Sequence, residues 1–520
     1  MQTLRRTVAV LTFPAIAYLG AACERETPTE AAPRVEATVG GPTCNVPLDY
    51  PTIQDAVNVP TCTTIIVAPG TYFELAPGPL TINRTLTLRG AQSGTDARNP
   101  RGAESIIADV QGTSVSASNV VIDGFTVQNS VASFPGFGIW LNPAVSGTQI
   151  LNNIIQNNIV GIGLANTGPS QAVIRHNLIR NNTQPGAASG SGIYTDQFVG
   201  GPTVKNVLIE ENAFVAHSGF GGAINISNTA AMGGVFNLDA SSNSFNMNSR
   251  AFVLFNTHTS TIHDNTITNS TFVGSADIRI FDNNTSLSIL NNDLSNGVGH
   301  AIRLSNLGLV GGPSSGVVIH ENNIEVYGLT GLTVDAVPSG HVGTVNATCN
   351  WWNSPSGPFS ATENPMGTGE EVVGDADFKP WLVAPAPGGA CIGGVPSGKA
   401  TGGGQVQVNI TGGKGTFGFN AKNEAGVGGS GHLNYLNHVT GAHLDCTVTL
   451  VTMLTPTTAE FSGPCSANSA ASNFKAHVED HGNPGKGNDV FKITYTDQLG
   501  PHVDEGGPGP IISGNIVIHQ

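Results

Sequence analysis

Arg279 and Arg303 hold the same place in two segments of similar wording, Ile278-Arg279-Ile280-Phe281 and Ile302-Arg303-Leu304-Ser305. With Asp277 and His300 they make a dense polar set in the middle of the chain. Guanidinium groups stacked on neighbouring strands repel unless something anionic lies between or beside them. Arginine also grips carboxylates in a bidentate fashion. The expected chemistry is therefore recognition of an anionic polymer. Catalysis is the competing expectation, because a carboxyl and an imidazole nearby are the groups that acid–base chemistry uses. The plain alternative is that Asp277, Asp282 or a covering loop neutralises the arginines, and that His300 is a turn or surface residue.

Similar segments recur before and after these two, and they set the register. They are Ile139-Trp140-Leu141-Asn142, Ile162-Gly163-Leu164-Ala165, Ile193-Tyr194-Thr195-Asp196, Ile224-Asn225-Ile226-Ser227, Phe252-Val253-Leu254-Phe255 and Leu332-Thr333-Val334-Asp335. Strand side chains alternate faces, so the first and third members point one way and the second and fourth the other. First and third members are apolar except Thr195. The predicted outward rows therefore carry Trp140, Tyr194, Arg279, Arg303 and Thr333 on one line. Asp196, Phe255, Phe281, Ser305 and Asp335 lie on the next. Trp140, Tyr194, Phe255 and Phe281 would be stacking platforms for a glycan, with Asp196, Asp335 and the two arginines as polar contacts.

A second phrase interleaves with the first: an alternating apolar stretch, a pivot of Gly or Asn, another short apolar run, then Asn or Ser. Copies include Val121-Ile122-Asp123-Gly124-Phe125, Ile150-Leu151-Asn152-Asn153-Ile154, Thr261-Ile262-His263-Asp264-Asn265 and Val318-Ile319-His320-Glu321-Asn322. Successive pivots lie roughly 22 to 35 residues apart, the period of a solenoid built from one supersecondary unit per repeat. Asn suits the pivot because it tolerates left-handed backbone angles and can hydrogen-bond to its counterpart up the stack. The expected fold is all-β: a right-handed parallel β-helix followed by a small β-sandwich-like domain.

These coils resemble the pectin-lyase-like superfamily of right-handed parallel β-helices. Tyr50-Pro51-Thr52-Ile53-Gln54-Asp55-Ala56 with Val67-Ala68-Pro69-Gly70-Thr71-Tyr72 resembles its pectinesterase-like opening. Asn350-Trp351-Trp352-Asn353-Ser354-Pro355-Ser356-Gly357-Pro358 resembles a closing turn of exported β-helix proteins. The resemblance covers residues 45–382 and implies a fold whose function sits on the outward face of one parallel sheet. Lyases of this superfamily use carboxylates to hold calcium and an Arg or Lys base; hydrolases use paired aspartates. Here Gly299-His300-Ala301-Ile302-Arg303 matches a polygalacturonase motif only faintly, without a paired aspartate.

The start of the chain reads as an export signal. Arg5 and Arg6 precede an apolar run broken by Pro14, then Gly20-Ala21-Ala22-Cys23. Small residues before a cysteine resemble the lipobox of bacterial lipoproteins, with Cys23 the acylated residue, although Gly20 stands where Leu, Val or Ile is usual. The expected divisions are a signal peptide over 1–22, a flexible tether over 23–43, the β-helix over 44–382, a linker over 383–404 and the second module over 405–520. Of seven cysteines, setting Cys23 aside leaves an even set. Proximity in sequence pairs Cys44 with Cys62, Cys349 with Cys391 and Cys446 with Cys465, as suits an oxidising compartment. No Cys/His spacing suggests a metal. A calcium loop at Asp480, Asn483 and Asp489 departs from the EF-hand pattern and reads as a turn. The net charge of −15 and the lack of a basic stripe exclude nucleic acid as a partner. The expected protein is an extracytoplasmic, membrane-tethered lipoprotein that binds a polysaccharide or surface polymer without a cofactor. A polysaccharide lyase or hydrolase and a structural or adhesive surface protein are the alternatives.

Overall fold

The computed structural model describes residues 42–519 except 74–77, 133–135, 220, 394–397, 409–411, 425–426, 456, 467–468, 498–499 and 506–509. The export signal, Cys23 and nearly all of the tether lie outside the described residues. Among the described residues, no helix is long and apolar enough to cross a membrane.

The chain winds into a parallel β-helix of three sheets, with 13, 11 and 10 strands among the described residues. Each strand pairs in parallel with its counterpart one coil away, as Gln149–Leu151 does with Ala172–Arg175 and Ile154–Gln156 with Leu178–Arg180. Each sheet contributes an inward row of aliphatic or aromatic side chains. Ile122, Ile150, Ile174, Ile209, Ala240, Ile262, Ile289 and Ile319 fill the first row, and Ile139, Ile162, Ile193, Ile224, Phe252, Ile278, Ile302 and Leu332 fill another. In the remaining sheet Phe214 and Phe245 stack at 4.8 Å. One coil has nothing to bury its faces against, so its strands form because the next coil covers them. Each such side chain contributes roughly 1.5–3 kcal/mol when fully buried.

The corner between the first two sheets divides the labour expected of one Asn between two residues. The left-handed position is held by Asn152, His176, Glu211, Ser242, Asp264, Asn291, Glu321 and Cys349, with φ between 51° and 58°. It is thus not reserved for Asn. The residue after it is Asn without exception from Asn153 to Asn350, buried and stacked into a ladder. The backbone N–H of Asn212 and its Nδ2 both donate to Asn243 Oδ1 at 3.0 Å, while Asn212 Nδ2 also donates to Ile174 O below at 2.8 Å. Asn243, Asn265 and Asn292 repeat the pattern. Asn carries an acceptor and two donors on one short arm, which the ladder needs and Ser or Asp lacks.

A second ladder marks the next corner: Asn158 donates to Asn182 Oδ1, Asn182 Nδ2 reaches His217 Nε2 at 3.3 Å, and His217 Nδ1 meets Asn248 Oδ1 at 2.9 Å. Asn182 Nδ2 can only donate, so His217 is neutral with its proton on Nδ1. Burial pushes its pKa down to about 4.

The short helix Ile53–Val57, N-capped by Thr52, covers the first coil with Ile53, Ala56 and Val57. Trp352 and Trp381 close the other end of the core. Cys44–Cys62, Cys349–Cys391 and Cys446–Cys465 are disulfides. The stretch expected to be a linker is partly strand: Cys391–Gly393 pairs with Trp381–Leu382, and Gly398–Val408 already belongs to the next module. The Gly and Ala of 398–404 read as linker in composition, yet small residues suit a strand on which Phe419 lies close over Gly402. That module is a pair of five-stranded antiparallel sheets around Phe417, Phe419, Phe461 and Phe491, with Phe417 and Phe491 stacked at 4.0 Å.

Candidate functional site on the third sheet

The third sheet aligns Trp140, Gly163, Tyr194, Asn225, Val253, Arg279, Arg303 and Thr333 in one row by its strand pairing. Strand spacing of about 4.8 Å brings Arg279 and Arg303 side by side. Their partners are not those expected. Arg303 Nε donates to Asp335 Oδ1 at 2.9 Å and Nη2 to Oδ2 at 3.1 Å, a bidentate pair that Ser305 Oγ also joins. Burial alone would raise the Asp335 carboxyl, but hydrogen bonds from Arg303 and Ser305 and the charges of Arg303 and Arg279 hold it below its ordinary range.

Arg279 has no ion pair among the described residues; its guanidinium lies 4.4 Å over the Phe281 ring, and Nη1 donates to Arg303 O at 3.4 Å. Phe255 stacks on Phe281 at 4.5 Å. A column of ring, ring and guanidinium therefore runs up the face. Burial, with the nearby positive charges of Arg303 and Arg250, lowers the Arg279 pKa to about 10, although Asp335 pulls the other way. It still carries its charge at neutral pH. Arg250, which composition and register did not single out, lies 4.5 Å over Phe272. His300 Nδ1 meets Thr330 Oγ1 at 2.7 Å, and burial with the two arginines lowers its pKa. Thr330, equally unforeseen, links on to Thr333 Oγ1 at 2.7 Å. No repeat pattern marks either residue, because both lie at the corner where strands begin.

Asp277 is not on this face. Alternation from Arg279 puts it outward, but consecutive residues Ala223 and Ile224, Ala251 and Phe252, and Ala301 and Ile302 all belong to the core. Asp277 sits in the row of Ala223, Ala251 and Ala301, 2% exposed, and accepts from Tyr327 Oη at 2.6 Å. Burial raises its pKa to about 7 against hydrogen bonds from Ser270 and Tyr327. Asp282 is likewise no partner for arginine: its carboxylate takes the N–H groups of Leu307 and Leu309.

The aromatic end is more covered than an open platform requires. Trp140 Nε1 donates to Val199 O at 3.3 Å, and Trp140 and Tyr194 pack against the cluster of Phe137, Ile159, Val160 and Val199. Tyr194 donates to Asp196 Oδ2 at 2.8 Å, and burial with this carboxylate raises the Tyr194 pKa. Asp196 also caps the turn through the N–H groups of Phe198 and Val199. Phe255 is 8% exposed. The structure thus gathers Arg279, Arg303, Asp335, His300, Thr333, Phe255 and Phe281, and separates them from Asp277, Trp140, Tyr194 and Asp196.

In the second module, Asp489 accepts from His481 N and Ile516 N, and Asp480 from Gly482 N and Ile518 N. These carboxylates hold a turn, and no cluster able to bind a metal occurs among the described residues.

No protein-family model matches the chain, and no curated protein matches it. Among solved structures it is similar to the catalytic domain of a GH87 α-1,3-glucanase, at 12% identity and a TM-score of 0.31 over 68% of this chain and 67% of that one. It is also similar to the pectate lyase Pel9A, at 14% identity and a TM-score of 0.26 over 61% and 70%. A third is tailspike protein 2 of Escherichia coli O157:H7 bacteriophage CAB120, at 10% identity and a TM-score of 0.19 over 89% and 62%. The strand pairing itself defines this chain as a parallel β-helix followed by antiparallel β-sheets.

Proposed function

We propose that this protein is an exported lipoprotein whose β-helix binds an anionic polysaccharide or surface polymer without catalysis, on the face centred on Arg279. One observation carries the reading: Arg279 is 8% exposed, charged at neutral pH, beside a second arginine, and without a carboxylate ion pair among the described residues. A buried charge is costly unless paired, so a carboxylate on a ligand would supply what the fold withholds. Arg303 is already held by Asp335 and serves as the second wall. Asp277 standing in the core and the threonine contacts that engage His300 Nδ1 favour binding over turnover. The three disulfides fit an oxidising, extracytoplasmic setting.

Retention on immobilised polygalacturonate tests the reading. Arg279→Ala is expected to weaken retention by about tenfold or more, the effect of one charge-assisted contact. Asp335→Asn is expected to strengthen it by releasing the Arg303 fork. Unchanged retention in Arg279→Ala and Arg303→Ala would dispose of the site, and release of unsaturated or reducing sugars would replace binding by lyase or hydrolase chemistry. Acylation at Cys23 predicts that Cys23→Ser moves the protein from the membrane-bound fraction to the soluble one.

A further inference from the structure

One turn of the β-helix is held down by a carboxyl group from two coils away. Tyr327 lies in turn 326–330, and its hydroxyl donates to Asp277 Oδ2 at 2.6 Å. Asp277 stands in a row with Ala223, Ala251 and Ala301, where packing asks only for a small side chain. The Tyr327 ring reaches it by crossing the coil between, and Gly297 leaves that passage open: a Cβ there would lie 2.3 Å from Tyr327 Cε1. The turn is also strained. In the two coils below, Asn269 and Asn296 hold the left-handed position of this corner at φ 57° and 59°, whereas here Val326 holds it at 59°. A β-branched residue is ill suited to that conformation. Its N–H is taken by Glu370 Oε1 at 2.7 Å. Gly328 N donates to Gly297 O at 2.9 Å and Leu329 N to Gly299 O at 3.0 Å, so the turn rests on the coil below. It ends at Thr330, the partner of His300 Nδ1.

The charged groups on the elements around Asp277 are turned to other partners. Arg250 lies over Phe272 and donates to Ser275, Arg279 lies outward over Phe281, and Arg303 is forked on Asp335. His300 meets Thr330; Glu370 accepts from the N–H groups of Val326 and Tyr327, and Glu325 beside it accepts from Trp351 Nε1. The influences on the Asp277 carboxyl are burial, which raises its pKa to about 7, and the opposing hydroxyls of Ser270 and Tyr327. Burial and Asp277 itself raise the Tyr327 hydroxyl well above its ordinary range, so it remains a donor. A neutral carboxyl is therefore at ease in this row. A carboxylate calls for water, and the passage at Gly297 that would admit it is filled by the Tyr327 ring.

We infer that Asp277 and Tyr327 form a proton-dependent latch, closed over a neutral Asp277 and released when that carboxyl ionises, with turn 326–330 lifting from Gly297 and Gly299. In the open form Asp277 is hydrated and ionises near its ordinary value of 3.8; in the closed form it holds its proton up to about 7. Between those values the closed form carries a proton that the open form has lost. The opening equilibrium therefore rises about tenfold per pH unit and levels off above pH 7. Opening relieves Val326 and frees His300 Nδ1 at the edge of the arginine face. The latch belongs to the fold and stands whether or not that face binds a polymer.

Hydrogen–deuterium exchange of the full chain between pH 5 and pH 8, corrected for the intrinsic rate at each pH, tests the latch. Amides of 326–329 are expected to lose protection about tenfold per pH unit from pH 5 to pH 7 and to level off by pH 8, while those of 150–164 hold theirs. Asp277→Asn keeps a neutral side chain of the same shape and is expected to remove the slope. Gly297→Ala sets a methyl against the Tyr327 ring and is expected to bring the turn at pH 5 to the exchange that the parent reaches at pH 7. Glu370→Gln is expected to quicken exchange at Val326 and Tyr327 and to keep the slope. A parent without pH dependence in this turn, an undiminished slope in Asp277→Asn, or unchanged protection in Gly297→Ala would each overturn the inference. Loss of the slope in Glu370→Gln would overturn it by assigning the proton to Glu370.

Discussion

Single residues carry the tension in this fold. Thr195, the polar member of an otherwise apolar inward row, is fully buried and its hydroxyl has no hydrogen-bond partner among the described residues. Thr195→Val keeps the shape and removes the unpaired group, so it is expected to stabilise the protein by about 1 kcal/mol, read from denaturant unfolding. His217 behaves oppositely with pH. Its folded pKa of about 4 lies below the ordinary value of 6.5. Protonation therefore favours the unfolded chain, and stability falls as pH drops from 6.5 toward 4. His217→Asn would continue the ladder with a group that does not titrate. The fall in unfolding midpoint from pH 7 to pH 5 should then be smaller in the variant than in the parent. On the outward face of the third sheet, the row assignment of Arg279 and Arg303 was legible from alternation, but Asp277 was not. Alternation resets where the chain turns a corner, and two successive residues then face the core.

At the scale of the element, the Asn ladder is the device that sets one coil on the next. Asn243 takes two donations from Asn212 and returns one to Ile209 O at 2.8 Å. Asn243→Ala would leave the backbone N–H of Asn212 buried without its acceptor and Ile209 O without its side-chain donor, while Asn212 Nδ2 keeps Ile174 O, and is expected to cost about 3 kcal/mol. Hydrogen–deuterium exchange should quicken in the coils containing Asn212 and Asn243 and not in distant ones, because a solenoid senses its nearest neighbours. Loss spread evenly along the β-helix would count against this role. The recurrent Asn was plain in the sequence; that the left-handed turn belongs to the residue before it was not. Asn-Asn pairs such as Asn152-Asn153 hide the division, whereas His176-Asn177, Glu211-Asn212, Ser242-Asn243, Asp264-Asn265, Glu321-Asn322 and Cys349-Asn350 reveal it.

For the whole molecule, stability is a chain of local couplings clamped at defined points. The Cys349–Cys391 bridge closes a separation of 42 residues and ties the last coil to the strand pair beyond it. Replacing both cysteines by Ala is expected to cost about 4 kcal/mol by loop entropy. Exchange should rise over 318–382 while 121–215 stays protected. Uniform loosening would mean that the coils unfold as one unit. By itself the sequence determined the coil, its period and the inward rows, since alternation and spacing are local and repeated; proximity only suggested the cysteine pairs, which the fold brings together. Tertiary structure alone decided which charges meet. Asp335 reaches Arg303 across a coil boundary, Tyr327 reaches Asp277 across 50 residues, and Arg279 is left on Phe281. Loop lengths differ from coil to coil, so no period in the sequence encodes those encounters, and side-chain reach between stacked turns settles them.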